Sequence, residues 1–178
     1  MDLSVTVQDP LWLELLAESG DSAGGQAAME RLISDAAAAV LAATPLPAGL
    51  AGRGCEVSVV LTDDARMQEM NRTWRGIDKP TDVLSFPGDD GFAPSDMPVP
   101  LGDIVLARQT MLRDAALLHR DLPHHLSHIA VHGLLHLLGW DHEVAAEAEE
   151  MEAQERLVLR ELGFDDDHEE DGGSGRMA

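Results

Sequence analysis

The pattern of apolar and polar residues divides the chain into short strand-like runs and longer helical stretches. Four segments alternate in polarity or are rich in β-branched residues, which is typical of strands: residues 3–7, 55–61, 82–86 and 103–106. Helical patterns cover residues 26–43, a stretch from a cap at Thr62 or Asp63 to about Trp74, and most of the chain after 107. Breaks are expected near Pro123 and Gly139, before a last helix over 143–162.

This order of elements predicts one domain of the α+β or α/β class, with about four strands and several helices. No internal repeat or linker divides the chain, and 178 residues suit a single domain with a sizeable core. We assign residues 1–164 to this domain. Residues 165–178 begin with the letters DDDHEED and end in a glycine-rich stretch, so we expect a disordered acidic tail; an interaction tail is the alternative.

The charge of the chain is strongly negative, with 33 acidic residues against 12 basic ones and a formal net charge of −21. Such a balance argues against a broad electrostatic grip on nucleic acid, because phosphate binding needs a positive surface. Much of the acid lies after residue 143, however. Arg72, Arg75 and Lys79 lie within eight positions of one another, so this stretch is locally positive.

Cysteine usage and hydropathy indicate the compartment. A single cysteine, Cys55, excludes an internal disulfide framework, and we interpret it as a small buried apolar residue. No apolar run approaches the roughly 18 residues of a membrane span, and the N terminus lacks the basic-then-apolar pattern of a signal peptide. We therefore expect a cytoplasmic protein without a membrane partner.

The candidate chemistry lies in residues 131–142, which read VHGLLHLLGWDH. His132 and His136 are four positions apart, so on a helix both imidazoles project from one face. Gly139 can end that helix in a left-handed conformation, after which the chain turns back to His142. Imidazole suits zinc, copper, nickel and iron, of which zinc is the most frequent, and we predict one Zn²⁺ ion. Three protein ligands leave a fourth position open, as in catalytic zinc sites.

The same string argues against a metalloprotease. Its histidine spacing equals that of the metzincins, which place a glutamate directly after the first histidine as general base. Here that position is Gly133, which has no side chain to accept a proton. Water activation must therefore come from the metal or from another residue.

The remaining histidines show no ligand spacing. His128 lies one turn before His132 and is either an orientation partner of the site or a plain helix-surface residue. No metal role is assigned to the other four, which are His119, His124, His125 and His168.

Residues 132–142 resemble the signature of the YbeY endoribonucleases, also called rRNA maturation factors. Two further blocks support the resemblance. Residues 71–87, NRTWRGIDKPTDVLSFP, are similar to the family block N-x-x-[YWF]-R-x-x-x-x-P-T-D-V-L-S-F-P, and residues 101–104, LGDI, match a third block. The three blocks occur in the family order, and the resemblance covers residues from about 56 to 163.

The resemblance implies an α+β fold: a small mixed sheet packed with helices, with the metal site on a helix and the following turn. It implies a single-strand-specific metallo-endoribonuclease that matures ribosomal RNA, including the 16S 3′ end, and acts in ribosome quality control. The implied zinc ligands are His132, His136 and His142, and Arg75 is the implied catalytic residue. The implied partners are ribosomal RNA and the small ribosomal subunit, with no DNA. The acidic chain favours docking on the ribosome or on a ribosome-associated protein over unaided RNA binding.

Several alternatives stay open at this point. The Arg75 guanidinium is either a ligand for phosphate charge or half of a structural ion pair. We interpret residues 80–82 as a turn into a strand, while Ser85 and Asp103 either line the cleft or serve the backbone. The attacking group is either water activated by the metal or a ribose 2′-hydroxyl. Two rival functions are a non-catalytic zinc-containing ribosome assembly factor and a zinc hydrolase acting on a non-nucleic substrate.

Overall fold

The structure, a computed structural model, describes residues 1–17, 21–50, 52–88, 96–142 and 144–164. The strands are β1 (Asp2–Val7), β2 (Cys55–Thr62), β3 (Val83–Pro87) and β4 (Val99–Ala107). The helices are α1 (Ser22–Ala43), α2 (Asp64–Arg75), α3 (Arg108–Leu117), α4 (Leu122–Leu137) and α5 (Ala145–Glu161). The α+β prediction is confirmed. The acidic tail predicted over residues 165–178 lies outside the described residues.

The four strands form one mixed sheet in the order β1-β2-β4-β3. β1 and β4 both run parallel to β2, whereas β3 is antiparallel to β4 and lies at the edge. Helical connections join the parallel strands. The edge position of β3 matters for the site, because residues from both sides of the sheet can meet there.

The two faces of the sheet bury different helices. The larger core cluster joins α1, α4 and α5 to one face, where Val59, Ile104 and Leu106 point toward the helices. A smaller cluster lies on the other face, where Met67 of α2 packs on Leu84 and Val105. This arrangement follows from strand geometry, since successive side chains point to opposite faces. None of the described helices is long and apolar enough to cross a membrane.

Two elements begin earlier in the chain than the sequence predicted. α1 begins at Ser22 and not at residue 26, and Gly25 lies inside it. A Cβ atom at Gly25 would lie 1.9 Å from the backbone carbonyl oxygen of Leu13, so this glycine permits close packing and does not mark a helix break. β4 begins at Val99 and not at residue 103, because a register irregularity opposite Glu56 and Val57 lets the strand continue through Gly102. In both places glycine or proline, which usually indicates a turn, lies inside the first part of a helix or strand.

Candidate metal centre and its cleft

Local sequence places two of the three candidate ligands. α4 begins after Asp121, whose side chain accepts a hydrogen bond from the His124 backbone N–H, and it carries Pro123 in its first turn. Its leucines at 134, 135, 137 and 138 are buried, as the pattern predicted. The helix is thereby held in one orientation, with the half-buried His132 and His136 on the same face near its C-terminal end.

Gly139 returns the chain to the site. It follows α4 with φ of 88°, in the left-handed region that glycine enters without a steric penalty. A Cβ atom there would meet nothing within 4 Å, so its role is conformational rather than a matter of space. The following turn brings the exposed His142 within a ring-centroid distance of 4.9 Å from His136 and 5.6 Å from His132. The predicted trio of histidines is therefore assembled.

The hydrogen bonds around His132 and His136 determine which ring nitrogens carry protons. Nδ1 of His132 lies 2.6 Å from Oε1 of Glu155, and Nδ1 of His136 lies 2.9 Å from the backbone carbonyl oxygen of Trp140. Both partners are acceptors, so each Nδ1 is the protonated nitrogen and each Nε2 of the neutral ring carries a lone pair. Those two Nε2 atoms face each other at 3.1 Å. Two lone pairs at that distance repel unless a cation lies between them.

The donor set fits a zinc ion. One ligand atom from each of the three histidines lies within 4.8 Å of the others, and no fourth carboxylate, cysteine or histidine of the described residues joins the group. Tetrahedral zinc with Zn–N distances near 2.0–2.1 Å separates its ligand nitrogens by roughly 3.3 Å. Burial lowers the pKa of His136, and the neighbouring His132 lowers it further, which keeps the ring in the neutral form that binds metals.

Glu155 is the residue of this site that sequence reasoning missed. It lies on α5, is only 7% exposed, and its second carboxylate oxygen lies 3.5 Å from Nε2 of His128. Nδ1 of His128 in turn lies 2.7 Å from the Arg120 guanidinium, which can only donate. Successive contacts therefore connect four side chains, in the order Arg120, His128, Glu155 and His132. His128 is therefore a partner of the site through Glu155, as one of the two interpretations of this residue had it.

The charge of Glu155 depends on these neighbours. Burial by itself raises the pKa of its carboxyl group, but hydrogen bonds with His128 and His132 outweigh burial and lower the pKa to about 2. The carboxylate is therefore ionised at neutral pH, and it accepts from both imidazoles. An ionised carboxylate behind a histidine fixes the ring orientation and raises the basicity of the opposite nitrogen, as it does behind many metal ligands. No sequence spacing links residue 155 to this role.

The three histidines open onto a cleft of about 580 Å³. Arg75, at the C-terminal end of α2, lines the same cleft from the opposite side of the sheet. In the part of the chain that the structure describes, its side chain makes no hydrogen bond or ion pair with any other residue. The structure thus brings all four predicted site residues to one cavity, and Arg75 has no carboxylate partner among the described residues.

The candidate strand residues divide between two faces. Ser85 lines the histidine cleft, whereas Asp103 lines a separate cavity on the other face of the sheet. A Cβ atom at Gly133 would lie 3.1 Å from the Ser85 hydroxyl and 3.2 Å from a methyl group of Ile104. The residue that replaces the metzincin glutamate therefore also lies where α4 packs tightly on the sheet. Asp82, next to Ser85 in the cleft, accepts hydrogen bonds from the Val83 backbone and the Thr81 hydroxyl, which supports the turn predicted there.

Residues without a predicted role remain outside the histidine group. His124 stacks on Phe164 at a centroid distance of 4.8 Å, His119 ends a helix with φ of 54°, and His168 lies outside the described residues. His125 is 2% exposed, and neither ring nitrogen has a hydrogen-bond partner. Cys55 is buried in the core, as predicted, and burial raises the pKa of its thiol.

Comparison with known proteins decides the family. Residues 18–163 match the sequence profile of the family described as Endoribonuclease YbeY. The chain belongs to this family. Membership confirms the prediction of an endoribonuclease, a hydrolase whose substrate is RNA.

Individual relatives agree with this membership. The Endoribonuclease YbeY of Rhodopseudomonas palustris is 57% identical over 113 residues, which cover 62% of this chain and 67% of the relative. That of Nitrobacter winogradskyi is 46% identical over 147 residues, which cover 81% of this chain and 73% of the relative. The solution structure of a Thermotoga maritima protein aligns with a TM-score of 0.51 over 97% of this chain and 99% of that one. At 21% identity, that likeness supports the fold alone.

Proposed function

We propose that this YbeY family member is a zinc-dependent, single-strand-specific endoribonuclease that matures ribosomal RNA, including the 3′ end of 16S rRNA. Its place of action is the cytoplasm, on the small ribosomal subunit, where it also serves ribosome quality control. The observation that carries the proposal is the shared cleft: three histidines with converging ring nitrogens and an unpaired arginine line one cavity. Residues 1–164 act as one catalytic domain, and residues 165–178 are an acidic tail.

Three histidines hold the ion. His132, His136 and His142 would each give one ring nitrogen, and three protein ligands would leave a bound zinc ion able to take substrate from the cleft. A bound zinc ion supplies a Lewis acid, which polarises a phosphoryl oxygen and lowers the pKa of water. Two groups of the chain fix the orientation of the ligands: the Glu155 carboxylate and the Trp140 carbonyl hold two imidazoles with their lone pairs toward the cleft.

Arg75 acts on the phosphate. Its planar guanidinium offers two parallel N–H donors, a geometry that matches two phosphate oxygens. No described residue competes for these donors, so the arginine is ready to meet charge that grows on the scissile phosphate during cleavage. Phosphate neutralisation is the function that best explains a free arginine opposite a metal site in an otherwise acidic protein.

The net charge of −21 weakens any unaided attraction to RNA over the whole surface. The site must therefore draw its substrate through local charge, near Arg75 and its neighbours, or through a partner that presents the RNA. The small ribosomal subunit, together with ribosome-associated proteins, is such a partner. This division explains how an acidic chain can act on a polyanion.

The test is cleavage of ribosomal RNA by purified wild-type protein, His136→Ala and Arg75→Ala, with zinc content measured on each. Arg31→Ala is the matched control, because it removes one exposed arginine from α1, away from the cleft. We expect no cleavage and little zinc with His136→Ala. For Arg75→Ala, normal zinc content and a rate reduced roughly 10²–10³-fold are expected.

The rivals give different results. A non-catalytic assembly factor associates with ribosomes in wild-type and Arg75→Ala form, yet neither protein cleaves RNA. A zinc hydrolase with a non-nucleic substrate turns that substrate over without competition from added RNA. Equal cleavage by all variants means that the activity comes from a contaminant.

A further inference from the structure

Trp74 occupies a position that the helix pattern would bury, yet 70% of it is exposed. It lies seven residues after Met67 and three after Asn71, both of which are buried on the face of α2 that packs on the sheet. At the end of the helix, the recorded ring contact of the indole is with Phe86 on the edge strand β3. Large aromatic surfaces left open on a folded domain mark binding sites more often than do scattered aliphatic residues.

The indole is held in place beside the cleft. Its ring lies edge-on to Phe86, with the ring centroids 5.8 Å apart and an interplanar angle of 67°. The two neighbours of Phe86 along β3, Ser85 and Pro87, both line the histidine cleft, and so does Arg75, the next residue after the tryptophan. Because the two rings meet edge to face, the contact with Phe86 leaves part of the indole surface exposed, where another flat group can stack.

The surroundings of Trp74 favour a polyanion over a protein. Arg72, Arg75 and Lys79 are all exposed, and Asp78 is the one acidic residue between positions 72 and 79. Arg72 and Asp78 are 3.9 Å apart in a solvent-exposed pair, which leaves Arg75 and Lys79 without an ion pair among the described residues. An exposed aromatic ring between basic side chains is the combination with which proteins bind single-stranded nucleic acid.

We propose that Trp74 is a stacking platform for one unpaired base of the RNA substrate, next to the phosphate that Arg75 binds. The inference rests on the proposed single-strand-specific cleavage and adds the residue that recognises the single strand. A base in a duplex is stacked on its neighbours and cannot lie on the indole, so the platform accepts unpaired regions only. The indole contacts the flat face of a base and not its hydrogen-bonding groups. It therefore distinguishes single-stranded from double-stranded RNA more than it distinguishes one base from another.

The experiment is single-turnover cleavage of a single-stranded oligoribonucleotide of about ten nucleotides by the zinc-loaded full chain. The dependence of rate on protein concentration gives a half-saturating concentration and a limiting rate. We expect Trp74→Ala to raise the half-saturating concentration roughly tenfold with a much smaller effect on the limiting rate. Trp74→Phe should restore most of the binding, because it keeps a flat ring. Leu117→Ala, at a residue 71% exposed on α3, is the matched control and should behave like wild type.

A second RNA separates stacking from an indirect effect. Abasic nucleotides are placed one at a time near the cleavage site, which keeps every phosphate and removes one base. One abasic position should weaken wild-type binding and leave Trp74→Ala unaffected, since the variant has no ring for that base. Equal sensitivity of both proteins at every position would overturn the proposal, and so would unchanged binding by Trp74→Ala.

Failure of the inference differs from failure of the proposed function. If wild-type protein cleaves the oligonucleotide and Trp74→Ala equals it, the platform is wrong while the endoribonuclease proposal stands. If Trp74→Ala cleaves oligonucleotides normally but loses association with ribosomes, the indole is a protein-docking residue and the platform is again wrong. If the wild-type protein neither binds nor cleaves single-stranded RNA, the stacking platform and the endoribonuclease proposal are both wrong.

Discussion

Oε1 of Glu155 lies 2.6 Å from Nδ1 of His132, on the side of the imidazole ring away from the other histidines. This contact joins α5 to α4 across 23 positions of sequence. It determines that Nε2 of His132 is the nitrogen with the free lone pair, since a ring donates from one nitrogen in its neutral form. The proposed metal centre therefore depends on a helix that contains none of the three candidate ligands.

Glu155→Gln should weaken zinc binding about 10-fold to 100-fold, because the neutral amide holds the ring less firmly and no longer raises its basicity. Competition with a chromophoric chelator measures the affinity directly and needs no activity assay. Glu152→Gln is the control, since it makes the same change at an exposed position of the same helix. Equal zinc affinity of Glu155→Gln and wild type would show that the carboxylate does not tune the site.

Gly133→Ala should destabilise the fold by about 1 kcal/mol, despite the gain in helix propensity. The added Cβ atom would lie 3.2 Å and 3.3 Å from two methyl groups of Ile104, and that side chain is only 1% exposed. A buried branched side chain cannot turn both groups away at once. Urea unfolding measures the change in free energy.

Ile104→Val removes one of the two crowded methyl groups and tests the cause. As a single change it should cost about 0.5–1.5 kcal/mol of stability, but in the Gly133→Ala protein it should cost clearly less. Strict additivity of the two substitutions would show that contact with Ile104 is not what excludes a side chain at position 133.

His125 should make the protein less stable in mild acid. Burial, together with the nearby positive charges of His128, Arg120 and His124, lowers the pKa of its ring to about 4 against the opposing effect of Asp82. The unfolded chain takes up this proton below the ordinary pKa of 6.5, whereas the folded protein does so only near 4. The contribution of this residue is thus complete above pH 6.5 and is lost as the pH falls from 6.5 toward 4.

His125→Leu should flatten the pH dependence of unfolding in that window, since the buried position then has nothing to protonate. Chemical denaturation at several pH values between 4 and 8 measures the slope. His119→Asn is a suitable control, because His119 is exposed and asparagine tolerates its positive φ. An unchanged slope in His125→Leu would place the acid sensitivity elsewhere.

Arg75→Lys should remain at least about tenfold slower than wild type in single-turnover cleavage. Lysine keeps the charge but loses one of the two parallel hydrogen bonds to phosphate, and a bond to a charged group contributes roughly 1.5–3 kcal/mol. Arg31→Lys makes the same exchange on α1 and should leave the rate unchanged. Full activity of Arg75→Lys would mean that charge alone matters at this position.

Much of the candidate metal centre could be predicted because its geometry is local. Residues 132 and 136 share a face by helix periodicity, and Gly139 can turn the chain back within three residues, so His142 needs no distant contact to reach them. Strands and helices were predicted for a similar reason, from periods of two and 3.6 residues. Errors arose where packing overrode local preference, as at Gly25 and in the first half of β4.

The class of fold, the candidate histidine trio and, through the family motifs, the kind of reaction could all be predicted from residue order alone. The position of Arg75 in the same cleft as the histidines could not, because it requires α2 to end beside β3 and β3 to lie at the sheet edge. Tertiary structure also decided that Glu155 stands behind His132 and that Trp74 stays exposed. Such relationships depend on how elements far apart in the chain pack together, and this packing cannot be predicted from the spacing of residues.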